Sequence, residues 1–331
     1  MPANLTPEYR NAEERYRQAE TPAEKLTALE EMLAVIPKHK GTEKMQADIK
    51  RRISKLKDRD EQKTVHGKRT ALYNVEKEGG GQIALVGPPN AGKSKLLSRL
   101  TNAQPEIGGY PFTTQKPFPG MMEYEDIKIQ LVDIPPITRE FTEPWVAAIA
   151  RNADAVLLVL DLSDGSVLEE IETTLRVLEK FRIRLYGWDR PVPPDETGIM
   201  VPRKTILVAN KMDLPESSEN LEVVRDLYGE RFPIAPVSSE SGLGLEDLKR
   251  QIFRMLEIIR VYTKVPGKPP DMKLPYVVPR GTTVQDLATM VHKDFAQRLK
   301  FARIWGANKF DGQMVGRDHV LEDREVIELH A

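Results

Sequence analysis

Cysteine is absent from the 331 residues, which excludes disulfides, thiolate metal sites and a cysteine nucleophile. No run approaches the roughly 20 uninterrupted apolar residues of a membrane-spanning helix, so no membrane partner is expected. Histidines are few and scattered (His39, His66, His292, His319 and His330), without the spacing a transition-metal centre requires. Aromatic residues make up only 6% of the chain, and Trp145, Trp188 and Trp305 read as packing residues. The opening residues 1–20 are polar and acidic, unlike a secretory signal or an Arg-rich transit peptide. With the missing cysteines, that start fits a cytoplasmic protein. Excess charge is also lacking: the net charge is −1. The balance hides a local bias, because residues 38–69 carry 12 Lys/Arg against 5 Asp/Glu.

What is present divides into three regions. Residues 1–66 are rich in Glu, Lys, Arg, Ala and Leu, all good helix formers. Thr21, Pro22 and Glu24 form a helix start. Leu26, Leu29, Met32 and Leu33 then recur at helical spacing, and Pro37 ends the helix. A second helix from about Thr42 to Leu56 completes a helical hairpin, with the basic residues mostly on its second arm. Residues 67–260 alternate apolar strands (Gln82–Gly87, Ile127–Asp133, Ala155–Leu162, Thr205–Asn210) with helical patterns at Val167–Phe181 and Leu245–Ile259. This predicts an α/β doubly wound sheet of the P-loop NTPase type. Residues 188–203 carry four prolines and read as an exposed loop. From residue 261 to 331 the strands shorten, after a turn-rich boundary at Pro266–Pro270. Strand candidates Tyr276–Val278, Ala302–Trp305 and Val326–His330 surround a helix near Val284–Lys293, a β-grasp pattern.

Gly87-Pro88-Pro89-Asn90-Ala91-Gly92-Lys93-Ser94 matches G-x-x-x-x-G-K-[ST] in full, between an apolar strand and a helix. Glycines let backbone N–H groups converge on phosphate oxygens, and the helix N-terminus adds a favourable dipole. Lys93 is placed for the β- and γ-phosphates and Ser94 for Mg²⁺. The nucleotide set runs on through Lys95. Taken alone, this loop does not distinguish ATP from GTP.

The base is addressed by Asn210-Lys211-Met212-Asp213, at the end of a buried strand. A carboxylate at Asp213 can accept from guanine N1–H and N2–H₂, whereas adenine offers no donor at N1 and leaves a desolvated acceptor unpaired. Asn210 can brace the phosphate loop and Lys211 can lay its stem on the ring. The segment Val237–Glu240 follows another short strand, where a backbone N–H can meet guanine O6, and its Ser238 and Ser239 join the nucleotide set. The bland alternative, a helix-capping Asn beside a surface Asp, loses ground to the order of the two motifs.

Together these residues resemble Obg-type GTPases, and most closely the developmentally regulated GTP-binding (DRG) branch. The resemblance rests on residues 87–94, 108–120, 210–213 and 237–242 in that order. The tail resembles a TGS module, through residues 277–283 before a helix and 316–323 near the end. Residues 36–57 are similar to the basic arm preceding the nucleotide domain in the DRG branch. The resemblance implies a GTP/GDP-binding enzyme in which Lys93, Thr114 and Asp133 serve catalysis. Tyr110–Thr114 would form the first switch, with Thr114 favoured over Thr113 on Mg²⁺. Asp133 would hold Mg²⁺ through water, and Asn90 would hold K⁺ beside the phosphates. It also implies docking on a ribosome or RNA, with the TGS-like module offering a surface to a protein partner.

Two features depart from the family. The glycine-rich domain that precedes the nucleotide domain in Obg has no counterpart in these residues. More consequentially, the second switch reads Asp133-Ile134-Pro135-Pro136 where a glycine N–H is usual, and proline has no N–H to give the γ-phosphate. Ile137 then offers no polar group to orient water. Slow hydrolysis, assisted by potassium or a partner, is one expectation. A GTP-binding sensor or scaffold that scarcely hydrolyses is the other.

Overall fold

The computed structural model describes residues 7–19, 22–36, 45–54, 73, 75–103, 116–140, 142–195, 197–306 and 310–330. The chain divides into two compact units, residues 1–74 and 75–331. In the first unit, helices α1 (Pro7–Gln18) and α2 (Pro22–Val35) and a helix over residues 45–54, here α3, bury Ala12, Leu29, Met32, Ile36 and Ile49 together. The expected pair of helices corresponds to α2 and α3. Helix α1 was not anticipated, since it contributes little apolar side-chain surface beyond Ala12 and Tyr16. Much of the basic segment, including residues 37–44 and 55–66, lies outside the described residues.

The second unit opens with β1 (Gln82–Val86), wholly buried, followed by α4 (Lys93–Leu100). A hairpin of β2 (Phe118–Tyr124) and β3 (Ile127–Asp133) comes next, then α5 (Pro144–Asn152), β4 (Ala155–Asp161), α6 (Val167–Lys180), β5 (Ile183–Gly187) and β6 (Val201–Asn210). Helix α7 (Ser217–Tyr228), strand β7 (Ile234–Pro236) and helix α8 (Leu245–Leu256) complete the nucleotide-domain pattern. The sheet order is β2-β3-β1-β4-β6-β5, with β7 also pairing β6. All its ladders are parallel except β2 with β3. The central strands β1 and β4 are buried along their whole length, as continuous Val/Ile/Leu runs require when helices cover both faces.

The four strands read from apolar runs are all present. Strands β2 and β5 were missed, because Phe118–Tyr124 contains Pro and Gly and Ile183–Gly187 alternates with arginine. Residues 201–203 belong to β6 rather than to the proline-rich loop, whose irregular part ends before Val201.

The last module begins earlier than its composition predicts. Helix α8 stops at Leu256, Glu257 turns the chain in a left-handed conformation (φ 50°), and β8 (Ile258–Thr263) starts at once. Residues 257–259, expected to extend the helix, are a turn and a strand start. Pro266–Pro270 is an internal loop between β8 and β9 (Tyr276–Pro279), not a domain boundary. Helices α9 (Val284–Val291) and α10 (Lys293–Arg298) precede β10 (Phe301–Trp305), β11 (Gln313–Val315) and β12 (Glu325–His330). The strand order is β11-β10-β12-β8-β9, with β8 and β12 parallel. Thr283 and Asp286 close a reciprocal capping box at the start of α9, and Val284, Leu287 and Ala288 pack on Ile259, Val261, Ile304 and Ile327. The expected single helix over Val284–Lys293 is split, because His292 turns extended between α9 and α10; a helix packed on a mixed five-stranded sheet is the β-grasp arrangement.

Leu157 sits at the middle of β4 with no exposure to solvent. Leu157→Ala should cost about 2–5 kcal/mol, measured as a lowered urea midpoint without a change in slope.

Candidate functional site

The C-terminal ends of β1, β3, β4 and β6 converge on the phosphate-loop sequence, the position where open α/β sheets bind ligands. Gly87 leaves β1 with φ 155°, and a Cβ there would lie 2.2 Å from the Val159 carbonyl oxygen. Only glycine lets the loop start this close to β4. Asn90 adopts a left-handed conformation (φ 59°) and is exposed. Gly92, at φ 88°, ends the loop, and a Cβ on it would stand 2.4 Å from Asn210 Nδ2.

That near-clash marks a joint between the two motifs. Asn210 Nδ2 donates to the Ala91 carbonyl at 2.9 Å. Its Oδ1 accepts from Ser239 N at 3.0 Å and from Ser239 Oγ at 2.9 Å. Asp213 Oδ1 accepts from Ser238 Oγ at 2.5 Å, and Ser238 Oγ accepts from Ser241 N at 2.9 Å. Asp213 itself is exposed. The structure thus brings together Gly87–Lys95, Asn210–Asp213 and Ser238–Ser239, the first more than a hundred residues from the other two.

Lys93 is buried and donates to the carbonyls of Gly87 at 3.1 Å and Pro88 at 2.8 Å. Desolvation pulls its pKa down to about 8, against the opposing charges of Asp133 and Glu170. Ser94 Oγ donates to Asp133 Oδ2. A serine hydroxyl and a fully buried carboxylate in direct contact form a hard-oxygen pair suited to Mg²⁺. Lys95 pairs with Glu240, so its ammonium meets the loop after β7. The expected first switch, Tyr110–Thr114, lies outside the described residues.

The segment expected to be the second switch, Asp133–Ile137, is packed inward. Ile134 and Ile137 are buried, and the Ile137 N–H donates to the Gly87 carbonyl at 3.1 Å. Pro136 has no N–H to offer, and the amide after it is already engaged by the phosphate loop. Thr142 Oγ1 donates to the Thr138 carbonyl at 3.1 Å and closes the segment that follows.

Two acidic residues escaped sequence reasoning. Asp161 ends β4 opposite Asn210 in the ladder and pairs with the Lys211 ammonium. The aspartate terminating an otherwise apolar strand was the available signal. Glu170 lies on the core-facing stripe of α6, between Val167 and Thr174, both buried. Its Oε2 is buried without a hydrogen-bond partner. Burial first, and then the charges of Asp164 and Asp161, push its pKa up to about 7.

A phosphate loop, a guanine-type tetrad and a serine pair joined by one asparagine, on a sheet of this order, define a guanine-nucleotide-binding domain of the P-loop class. Residues 82–190 match the family described as 50S ribosome-binding GTPase, and residues 259–331 match the TGS domain. An uncharacterized GTP-binding protein of Methanocaldococcus jannaschii is 30% identical, over 92% of this chain and 92% of that one. Developmentally-regulated GTP-binding protein 1 of Xenopus laevis is 30% identical over 78% of this chain and 84% of that one. The chain belongs to the family of developmentally regulated GTP-binding proteins. The crystal structure of a GTP-binding protein from Pyrococcus horikoshii shares the fold, with a TM-score of 0.52 at 17% identity over 76% of this chain and 99% of that one. Among the described residues, no helix is long and apolar enough to cross a membrane.

Glu170 gives the nucleotide-free protein a signature in pH. Its folded pKa, about 7, lies above the ordinary 4.5, so between those values the folded state holds a proton that the unfolded state has lost. Stability from this group is present below pH 4.5 and declines as pH rises through 7. Glu170→Gln should reduce the stability difference between pH 5 and pH 7.5, measured by urea unfolding of both proteins.

Proposed function

We propose that the protein is a regulatory GTPase that binds GTP with Mg²⁺, hydrolyses it slowly to GDP and phosphate, and docks on a ribosome or RNA according to nucleotide state. The Asn210 joint carries this reading, because it holds the phosphate loop and the base-facing tetrad in one fixed relation. Asp213, held on one oxygen by Ser238, would present its carboxylate to the guanine edge. The amides of residues 88–94 and the Lys93 ammonium would stabilise charge developing on the transferred phosphoryl group. Ser94 and Asp133 would hold Mg²⁺, which neutralises phosphate charge when bound, with Thr114 as the expected third oxygen. K⁺ beside Asn90 would add positive charge to the same region. The basic arm and the TGS-like module would supply the partner contacts, in the cytoplasm.

Slow turnover follows from the second switch. With Pro136 lacking an N–H and the Ile137 amide bonded to Gly87, neither backbone position is available to the γ-phosphate in this arrangement. Ile137 is buried and apolar, so it orients no attacking water. The same observation favours a second reading, a GTP-binding sensor or scaffold with almost no hydrolysis. Single-turnover hydrolysis in K⁺ and in Na⁺ separates the two. Turnover that is faster in K⁺ supports the slow GTPase; none in either salt leaves the scaffold.

Guanine nucleotides should bind at least about 100-fold more tightly than adenine nucleotides, since a site built on hydrogen bonds to the base rejects analogues lacking the donors. Asp213→Ala should reduce that preference to within about tenfold, measured by equilibrium binding of GDP and ADP. Lys93→Ala should weaken GDP binding by about 2–5 kcal/mol, roughly 25-fold or more, as expected for loss of a buried charged partner.

A further inference from the structure

The join between the nucleotide domain and the TGS-like module is built around one buried cation. Arg260, on β8, is only 3% exposed. Its Nε donates to Asp323 Oδ1 at 3.0 Å and its Nη2 to Asp323 Oδ2 at 2.7 Å, a two-pronged pair within the module. The remaining nitrogen, Nη1, crosses to the nucleotide domain, donating to Asp126 Oδ1 at 2.9 Å and to Glu125 Oε2. Tyr262, two residues along β8, donates its hydroxyl to Asp126 Oδ2. Arg324 donates to the same Glu125 Oε2 at 2.5 Å, and its N–H donates to the Arg260 carbonyl at 2.7 Å. The guanidinium also lies 5.0 Å from the centroid of the Phe253 ring on α8, and Phe253 stacks on Tyr124 at 5.0 Å. A planar fork with a delocalised charge suits this combination of carboxylates and an aromatic face, and a lysine cannot reproduce it.

The far side of the clamp is the turn of the β2–β3 hairpin. Its ladder is continuous from Tyr124↔Ile127 to Phe118↔Asp133, so the hairpin is a stiff two-stranded bar roughly 20 Å long. One end carries Glu125 and Asp126. The other carries Asp133, against Ser94 in the nucleotide site. The module has little slack of its own, because Glu257 alone links α8 to β8 and its side chain pairs with Lys204 on β6. Ile258 and Val277 of the module pack into the core cluster that also holds Met122, Ile127 and Met255.

We propose that the Arg260 clamp makes the TGS-like module a reader of nucleotide state, coupling the position of the β2–β3 hairpin at Asp133 to the placement of the module at Glu125 and Asp126. The proposal rests on the GTP/GDP reading above. A hairpin position preferred by one nucleotide is transmitted along the ladder to the clamp. A partner holding the module biases the hairpin in return, since coupling between two binding events is reciprocal.

Cutting the clamp should therefore change the relative affinity for two nucleotides that Arg260 never touches. The full chain would be titrated with GDP and with a non-hydrolysable GTP analogue, in Mg²⁺. The double variant Glu125→Gln with Asp126→Asn keeps the Arg260–Asp323 pair and removes the charges on the crossing half. Arg260→Met cuts the clamp from the other side. Each variant should retain the far-UV spectrum and a cooperative melt. Each should shift the ratio of the two dissociation constants by about fivefold or more, the lower end of typical couplings. A merely structural role would weaken both nucleotides alike and leave the ratio unchanged, as would any folded variant that binds both with wild-type preference; either result overturns the proposal. If one variant does not fold, the other decides. If the unaltered protein binds neither nucleotide, the GTP/GDP reading falls and takes the clamp's role with it. Tight binding with an unmoved ratio refutes the clamp alone.

Discussion

The side-chain amide of Asn210 is the interaction on which the site depends. An asparagine has two donors and a carbonyl acceptor in one plane. In this protein they are divided between the phosphate loop, through Ala91, and the loop after β7, through Ser239. Each of these segments is irregular and would otherwise have its own freedom. Buried at the end of β6, the amide converts three loops into one rigid floor, and leaving any of its polar atoms unpaired there would carry a desolvation cost. Gly92 is part of the same device, because a methyl group in its place would occupy the space of the amide nitrogen.

Around that floor the charges are arranged in pairs rather than singly. Lys211 is held by Asp161 and Lys95 by Glu240, while Lys93 is turned onto two carbonyls of its own loop. Turned onto those carbonyls, the buried Lys93 ammonium is not left bare. The inward packing of Ile134 and Ile137 belongs to the same economy of contacts. It combines apolar burial with an amide bonded to Gly87.

The TGS-like module is continuous with the nucleotide domain rather than tethered to it. A single left-handed residue separates helix from strand, and the interface combines an apolar patch with a buried guanidinium. The neighbouring carboxylates respond to it: hydrogen bonds from Arg260 and Arg324 draw the Glu125 carboxyl below its ordinary value, and bonds to Tyr262 and Arg260 outweigh burial to do the same for Asp126. Ionised carboxylates around a buried arginine are stable only as a set, and removing one member strands the others.

The phosphate loop and the guanine tetrad were legible in the sequence because each is a contiguous run whose chemistry depends on residue type and spacing. The parallel core was legible for a similar reason, since strands such as Ala155–Asp161, buried on both faces, must be apolar throughout. Elements whose pattern is diluted by Pro, Gly or Arg, such as β2 and β5, were not legible, because their strand state comes from pairing with a neighbour rather than from local preference. The start of the last module was misplaced for the same reason. Ile258–Thr263 follows a helix without a break in apolar character, and only its partners β9 and β12 make it a strand. Tertiary structure alone decided that Asn210 meets Ala91, that Ile137 spends its amide on Gly87 and that Arg260 meets Glu125 and Asp126. These contacts join residues from 50 to more than 130 positions apart; sequence supplies the groups, and folding brings them within reach of one another.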